Sequence, residues 1–160
     1  MRCWKSLPNQ FVYASCLPAN LLNADSLSGS NSLTAEEALI LQDPRFHSGV
    51  AAFNRGEWYV CHDDFEAVWH ETQGRLRPVL QAILQIAVAH HHLERGNQKG
   101  ATVLLGEGLG RLAAAEPCEL GLDIQKLQQS SQRRLGALQQ QSSLDSLSLP
   151  RLEPCQEGPR

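Results

Sequence analysis

Between Leu76 and Arg95 the chain carries Val79, Leu80, Ile83, Leu84, Ile86, Ala87 and Leu93. At about 100° per residue these positions cover nearly every side of a helix. A helix that is apolar almost all round must lie at the centre of its bundle, with other helices around it. That one segment makes the rest of the chain its packing partners. The exception on its circumference is a polar stripe. Counted from Gln81, Gln85 lies at about +40°, Val88 at about −20° and His92 at about +20°.

The punctuation on either side predicts those partners. Thr34-Ala35-Glu36-Glu37 is a capping box opening a helix to about Gln42, and Asp43-Pro44 supplies an N-cap followed by a helix-compatible proline. The helix from Pro44 ends near Gly56, and another covers Glu57 to about Glu71. The central helix tolerates Pro78 only in its first turn and stops at Gly96. Asn97 caps a fifth helix to about Ala115, Pro117 and Gly121 break the chain, and Asp123 caps a sixth to about Gln140. No segment shows the alternation of a strand. Asn54-Arg55-Gly56-Glu57 and Glu94-Arg95-Gly96-Asn97 each close one helix and start the next, as short turns of helical hairpins do. The expectation is an all-α bundle of five to six helices in antiparallel hairpins.

Residues 1–31 and 141–160 lack sustained periodicity and are rich in Ser, Pro and Asn or Gln. Both are expected to be disordered, leaving a single helical domain over 32–140. The first segment has Arg2 and Lys5 without an early acidic residue, so an organellar transit peptide competes with a plain extension. A net charge of −3 gives no electrostatic case for nucleic acid or an anionic membrane as partner. No apolar run reaches the ~20 residues that span a bilayer. The cysteines are Cys3, Cys16, Cys61, Cys118 and Cys155. An odd number without a CxxC pair suggests neither a disulfide framework nor a zinc finger, and points to a reducing cytoplasmic setting. Homo-oligomerisation is left open.

The third helix concentrates the chemistry. Measured from His62, Trp58 lies at about −40°, Phe65 at about −60°, Trp69 at about −20° and Glu66 at about +40°. His62 and Glu66 thus share the aromatic stripe expected to face the core. A buried carboxylate costs several kcal/mol unless it is paired or coordinated. The polar stripe of the central helix is the expected answer, with Gln81, Gln85 and His92 opposite His62 and Glu66. His90 and His91 diverge from His92 by about 100° per residue and are expected to be packed or partly exposed. Two readings follow. The five residues form a buried polar brace, or His62, Glu66 and His92 ligate Zn²⁺, Mn²⁺ or Fe²⁺ with a position open for water. HExxH is absent. Cys61 reads as a structural core thiol, and the glycines of Gly106-Glu107-Gly108-Leu109-Gly110 as sites of close helix packing rather than a phosphate cradle.

These residues also carry a resemblance. Phe53-Asn54-Arg55-Gly56-Glu57-Trp58-Tyr59-Val60-Cys61-His62-Asp63-Asp64-Phe65-Glu66-Ala67-Val68-Trp69 resembles the FN-x-G-E-[YF]-[FY]-x-CHE-x-x-E-x-x-W signature of the bacterial domain-of-unknown-function family numbered 309. Leu80 to Ala89, followed by His92-Leu93-Glu94-Arg95-Gly96-Asn97, is similar to its LQG-[LI]-IQ-x-A-x-A…H-L-x-RGN block. The likeness spans about residues 45 to 115. It implies a compact helical domain and brings the family's label of predicted metal-dependent hydrolase, with Asp63 or Glu57 as candidate general base. The chain departs from the pattern at Asp63, where Glu is usual, at Ala82, where Gly is usual, and at His90, usually apolar.

Overall fold

The computed structural model describes residues 34–155. The readings of residues 1–31 as an extension or transit peptide, and Cys3 and Cys16, lie outside the described residues. Among the described residues there are six helices: α1 (Ala35–Gln42), α2 (Pro44–Arg55), α3 (Trp58–Glu71), α4 (Arg77–Glu94), α5 (Gln98–Leu112) and α6 (Ile124–Gln139). The fold is all-helical apart from one hairpin of two-residue strands, β1 (Cys118–Glu119) and β2 (Leu122–Asp123). No described helix is long and apolar enough to cross a membrane.

The helix ends follow the punctuation. Asp43 accepts a hydrogen bond from the Arg45 amide at 2.9 Å, Asn97 from Gly100 at 3.0 Å and Asp123 from Lys126 at 2.9 Å. Gly56 takes φ 77° at the end of α2, and Gly96 takes φ 71° after α4, in the left-handed region where a side chain would be strained. The capping box at α1 is half formed. Thr34 accepts from Glu37 N at 3.1 Å, but the Glu37 carboxylate reaches instead to the Leu120 amide at 2.9 Å. That contact serves the β1–β2 turn, where Leu120 and Gly121 have φ 55° and 66°. A two-residue hairpin with a type I′ turn has positive φ at both central positions. Leucine there is disfavoured by roughly 1–2 kcal/mol, which Glu37 and the burial of the Leu120 side chain offset. Such a turn leaves no strand periodicity, which is why the hairpin was not expected.

From α2 to α5 consecutive helices pack as antiparallel neighbours. Phe46 meets Phe65 and Phe53 meets Trp58 between α2 and α3, with ring centroids 6.2 Å and 5.1 Å apart. Helix α4 is central as expected, with Leu80, Ile83, Ile86 and Ala87 fully buried. Of the three neighbouring glycines in α5, Gly108 is the one pressed against α4. A Cβ there would sit 3.2 Å from the Ala82 carbonyl oxygen and from Ile86 Cγ1. Gly108→Ala should therefore lower stability by about 1–2 kcal/mol despite alanine's better helix propensity. Gly106→Ala and Gly110→Ala, which meet open space, should raise it in the same urea titration.

The segment after α6 differs from its expected disorder. Residues 141–155 run back along the bundle as a strap, while 156–160 lie outside the described residues. Leu152 is 2% exposed. Its amide donates to Asn54 Oδ1 at 2.7 Å and its carbonyl accepts from Asn54 Nδ2 at 2.9 Å. Asp123 N donates to Glu153 O at 2.8 Å, Cys155 N donates to Gly121 O at 2.9 Å, and Lys126 pairs with Glu153 at 3.0 Å. Cys118 and Cys155 form a disulfide, where the cysteine count and spacing had suggested no disulfide framework. The strap docks residue by residue, so it shows neither helical nor strand periodicity.

Candidate functional site

The five polar residues singled out from the sequence are not one buried cluster. On α3 the fully buried stripe is Trp58, Cys61, Phe65 and Val68. His62 and Glu66 lie on its shoulder, their side chains 25% and 34% exposed. His62 Nδ1 is 3.1 Å from Asp63 Oδ1, and Glu66 is 4.0 Å from His70 Nε2. Both contacts stay within α3. The shoulder runs alongside α4: the Tyr59 ring is 5.9 Å from that of His91, and the Arg77 guanidinium lies 4.2 Å over the Trp69 ring. Arg77 also donates 2.7 Å hydrogen bonds to the carbonyls of Trp69 and Thr72, fixing this end of the seam.

On α4 the polar stripe is the helix's least buried side. Gln81, Val88 and His92 are half-buried on a helix otherwise sealed through its middle turns. Gln85 turns towards α5, where its Nε2 donates to Glu107 at 2.7 Å and its Oε1 accepts from Arg111 at 2.9 Å. His92 Nδ1 accepts from Asn97 Nδ2 at 2.8 Å, stiffening the turn into α5. Gln85 and His92 therefore brace α4 to α5, not α4 to α3. Periodicity fixes the angles between residues on one helix but not which neighbour each side meets, and the expected pairing failed at that step.

The side of α4 facing α3 carries His90 instead. Its ring is 4.7 Å from that of Trp58, and Nδ1 donates to the Ile86 carbonyl at 2.7 Å, leaving Nε2 buried without a partner among the described residues. Burial, with a smaller contribution from the nearby Arg134 charge, pushes its pKa down to about 4, so the ring is neutral at pH 7. The signal was in the sequence. His90 lies at about −20° from Ile83, within the apolar stripe, at a position where the family pattern is usually apolar. Arg134 of α6 is also buried, at 6% exposure, and pairs with no carboxylate among the described residues. It donates to the Leu147 carbonyl of the strap at 3.1 Å.

The metal set does not assemble. Among the described residues no three His, Cys, Asp or Glu side chains come together as a metal site. His62, Glu66 and His92 are therefore not a fitting ligand set in this arrangement, since His92 is engaged with Asn97 at the α5 turn. Of the candidate bases, Asp63 contacts His62 and Glu57 is paired with Arg55 at 2.7 Å, which holds its carboxyl below the usual range. Cys61 is fully buried, its Sγ donating to the Trp58 carbonyl, and its thiol pKa is pushed up to about 12 chiefly by burial. It is a core thiol, as expected.

An apolar groove of about 1020 Å³ lies elsewhere, between α1, the start of α2 and the end of α3. Arg45 bridges Asp43 and Glu71 there, at 2.6 Å to each.

These features define a small helical-hairpin domain whose signature polar residues divide between an α4–α5 brace and an open α3–α4 seam. Residues 46–104, from α2 into α5, match the family model described as Domain of unknown function (DUF309). No curated protein matches the chain.

Proposed function

We propose that the chain is a non-catalytic helical binding module, and that the α3 shoulder bearing His62 and Glu66, together with the open stripe of α4 bearing Gln81, faces its ligand or partner. The observation that carries this reading is the different use of the signature residues. Gln85 and His92 are consumed by contacts with another element, whereas His62 and Glu66 bond only within their own helix. Gln81 makes no side-chain hydrogen bond among the described residues. Half-exposed polar groups between an aromatic–imidazole contact and an Arg–Trp stack suit a polar ligand held by directional hydrogen bonds. Neither nucleic acid nor a bilayer belongs to this reading, given the net charge of −3. The cytoplasmic setting stays part of the proposal, with Cys118–Cys155 as a bond that a reducing compartment opens.

The alternative, a metal-dependent hydrolase using His62, Glu66 and His92, draws on the family resemblance and requires His92 to leave Asn97. Titration with Zn²⁺ and Mn²⁺ separates the two. In the binding module, His62→Ala and Glu66→Gln change stability by no more than about 0.5 kcal/mol, and neither ion raises the wild-type melting temperature. Amide shifts from a library of small polar fragments should cluster on residues 59–70 and 77–92 and disappear in Glu66→Gln. A metal-dependent rise in melting temperature, lost in both Glu66→Gln and His92→Ala, would establish the alternative.

A further inference from the structure

Three cysteines fall within the described residues, and their surroundings differ sharply. Cys61 is sealed in the core beneath Trp58. Cys118 is exposed at the start of β1, and Cys155 is half-buried at the end of the strap. Their Cα atoms are 5.8 Å apart, well within the range that a disulfide spans without backbone movement. The approach does not depend on the sulfurs alone. Cys155 N donates to Gly121 O, Asp123 N donates to Glu153 O, and Leu122 bridges Pro154, so the strap end is laid beside the hairpin by its backbone. A pair presented this way can open and re-form without the bundle unfolding.

We infer that Cys118–Cys155 is a reversible thiol–disulfide latch, opened by dithiol reductants, which sets how firmly the strap covers the bundle around Leu152. In the forward step a thiolate of the dithiol attacks one sulfur of the pair and breaks the S–S bond. The second thiol of the reductant resolves the mixed disulfide. The reductant leaves as its cyclic disulfide, having given up two electrons and two protons, and Cys118 and Cys155 become thiols. Exposure of Cys118 supplies the access this attack needs, while Cys61 stays out of the exchange. Opening removes the covalent end-stop of the strap. Residues 153–155 are then held to the hairpin only by their few hydrogen bonds, and the seat of Leu152 loosens next.

The test uses the full chain, purified without reductant, with dithiothreitol as the probe. Alkylation and peptide mass spectrometry should find the Cys118 and Cys155 peptides linked before treatment and both alkylated after it, with Cys61 unlabelled until denaturant is added. Hydrogen exchange at the amides of Asp123 and Cys155 should then quicken by about tenfold or more while α4 is unchanged. Cys155→Ser should exchange like the reduced wild type and ignore dithiothreitol. Three results would overturn the inference: a pair never found linked, a link that resists dithiothreitol in the folded chain, or reduction that leaves strap exchange unaltered.

Discussion

Leu152→Ala is expected to lower the stability of the full chain by about 2–4 kcal/mol, read as a fall in the urea midpoint. The side chain is 2% exposed and packs into the common core, so its removal opens a cavity beneath the strap. Asn54→Ala attacks the same seat from the other side. It strips the partner from both the amide and the carbonyl of Leu152 at a half-buried site, for about 1–3 kcal/mol. The two substitutions share one seat, so their combined cost should fall short of the sum. Leu149, 51% exposed on the same strap, is the control. Leu149→Ala should cost less than about 0.5 kcal/mol. A Leu152 result as small as that control would mean that the strap rests on the bundle without sealing it.

The second large effect is a dependence of stability on pH. His90 is neutral in the folded chain, its pKa lowered from 6.5 to about 4. The unfolded chain therefore binds a proton between those values that the folded chain refuses. Stability rises with pH wherever the unfolded state holds more protons, so His90 should remove stability as pH falls from about 6.5 to 4, by about 3 kcal/mol in all. Arg134 reinforces this, because a second positive charge on the imidazole would face one already buried. The carboxylates of Asp43 and Glu71, held below their usual range by Arg45, lose their contributions at lower pH still. His90→Leu should flatten the profile between pH 6.5 and 4 and leave the steeper acid limb in place. A profile unchanged by that substitution would mean that the imidazole is hydrated.

How far these features were legible depends on the kind of order involved. Local rules placed Asp43, Asn97 and Asp123 as caps and Gly56 and Gly96 as stops, because each answers to residues within a few positions. The central place of α4 also followed from its composition. Its surroundings did not. A helix buried on most sides gives periodicity no absolute direction, so the stripe of Gln81, Gln85 and His92 was read as facing α3 when it lies open or braces α5. His62 and Glu66 were read as core-facing because they lie within about 100° of Trp58, Phe65 and Trp69, while the buried stripe centres instead on Trp58, Cys61, Phe65 and Val68. The brace partners Glu107 and Arg111 sit in a glycine-rich stretch whose pattern speaks of packing, not of charge. The strap was illegible for a different reason: Leu144, Leu147, Pro150 and Leu152 are its covered positions, and neither a helical nor a strand period runs through all four.

The clasp between Asn54 and Leu152 joins residues 98 apart in the chain. Helical hairpins such as α2–α3 and α4–α5 close over short separations and carry a small entropic cost of loop closure, so they form early. On the ribosome they emerge and pair while Asn54 has nothing to hold. The side chain waits in solvent until the strap has been made, and the leucine that covers it arrives after every described helix. A contact of such high sequence separation carries the larger loop-closure cost and is joined late. The domain thus carries its own mark of completion: a chain cut short before Leu152 keeps every helix described here but leaves Asn54 and the apolar surface beside it uncovered, the kind of exposed patch by which quality-control machinery tells an unfinished product from a finished one.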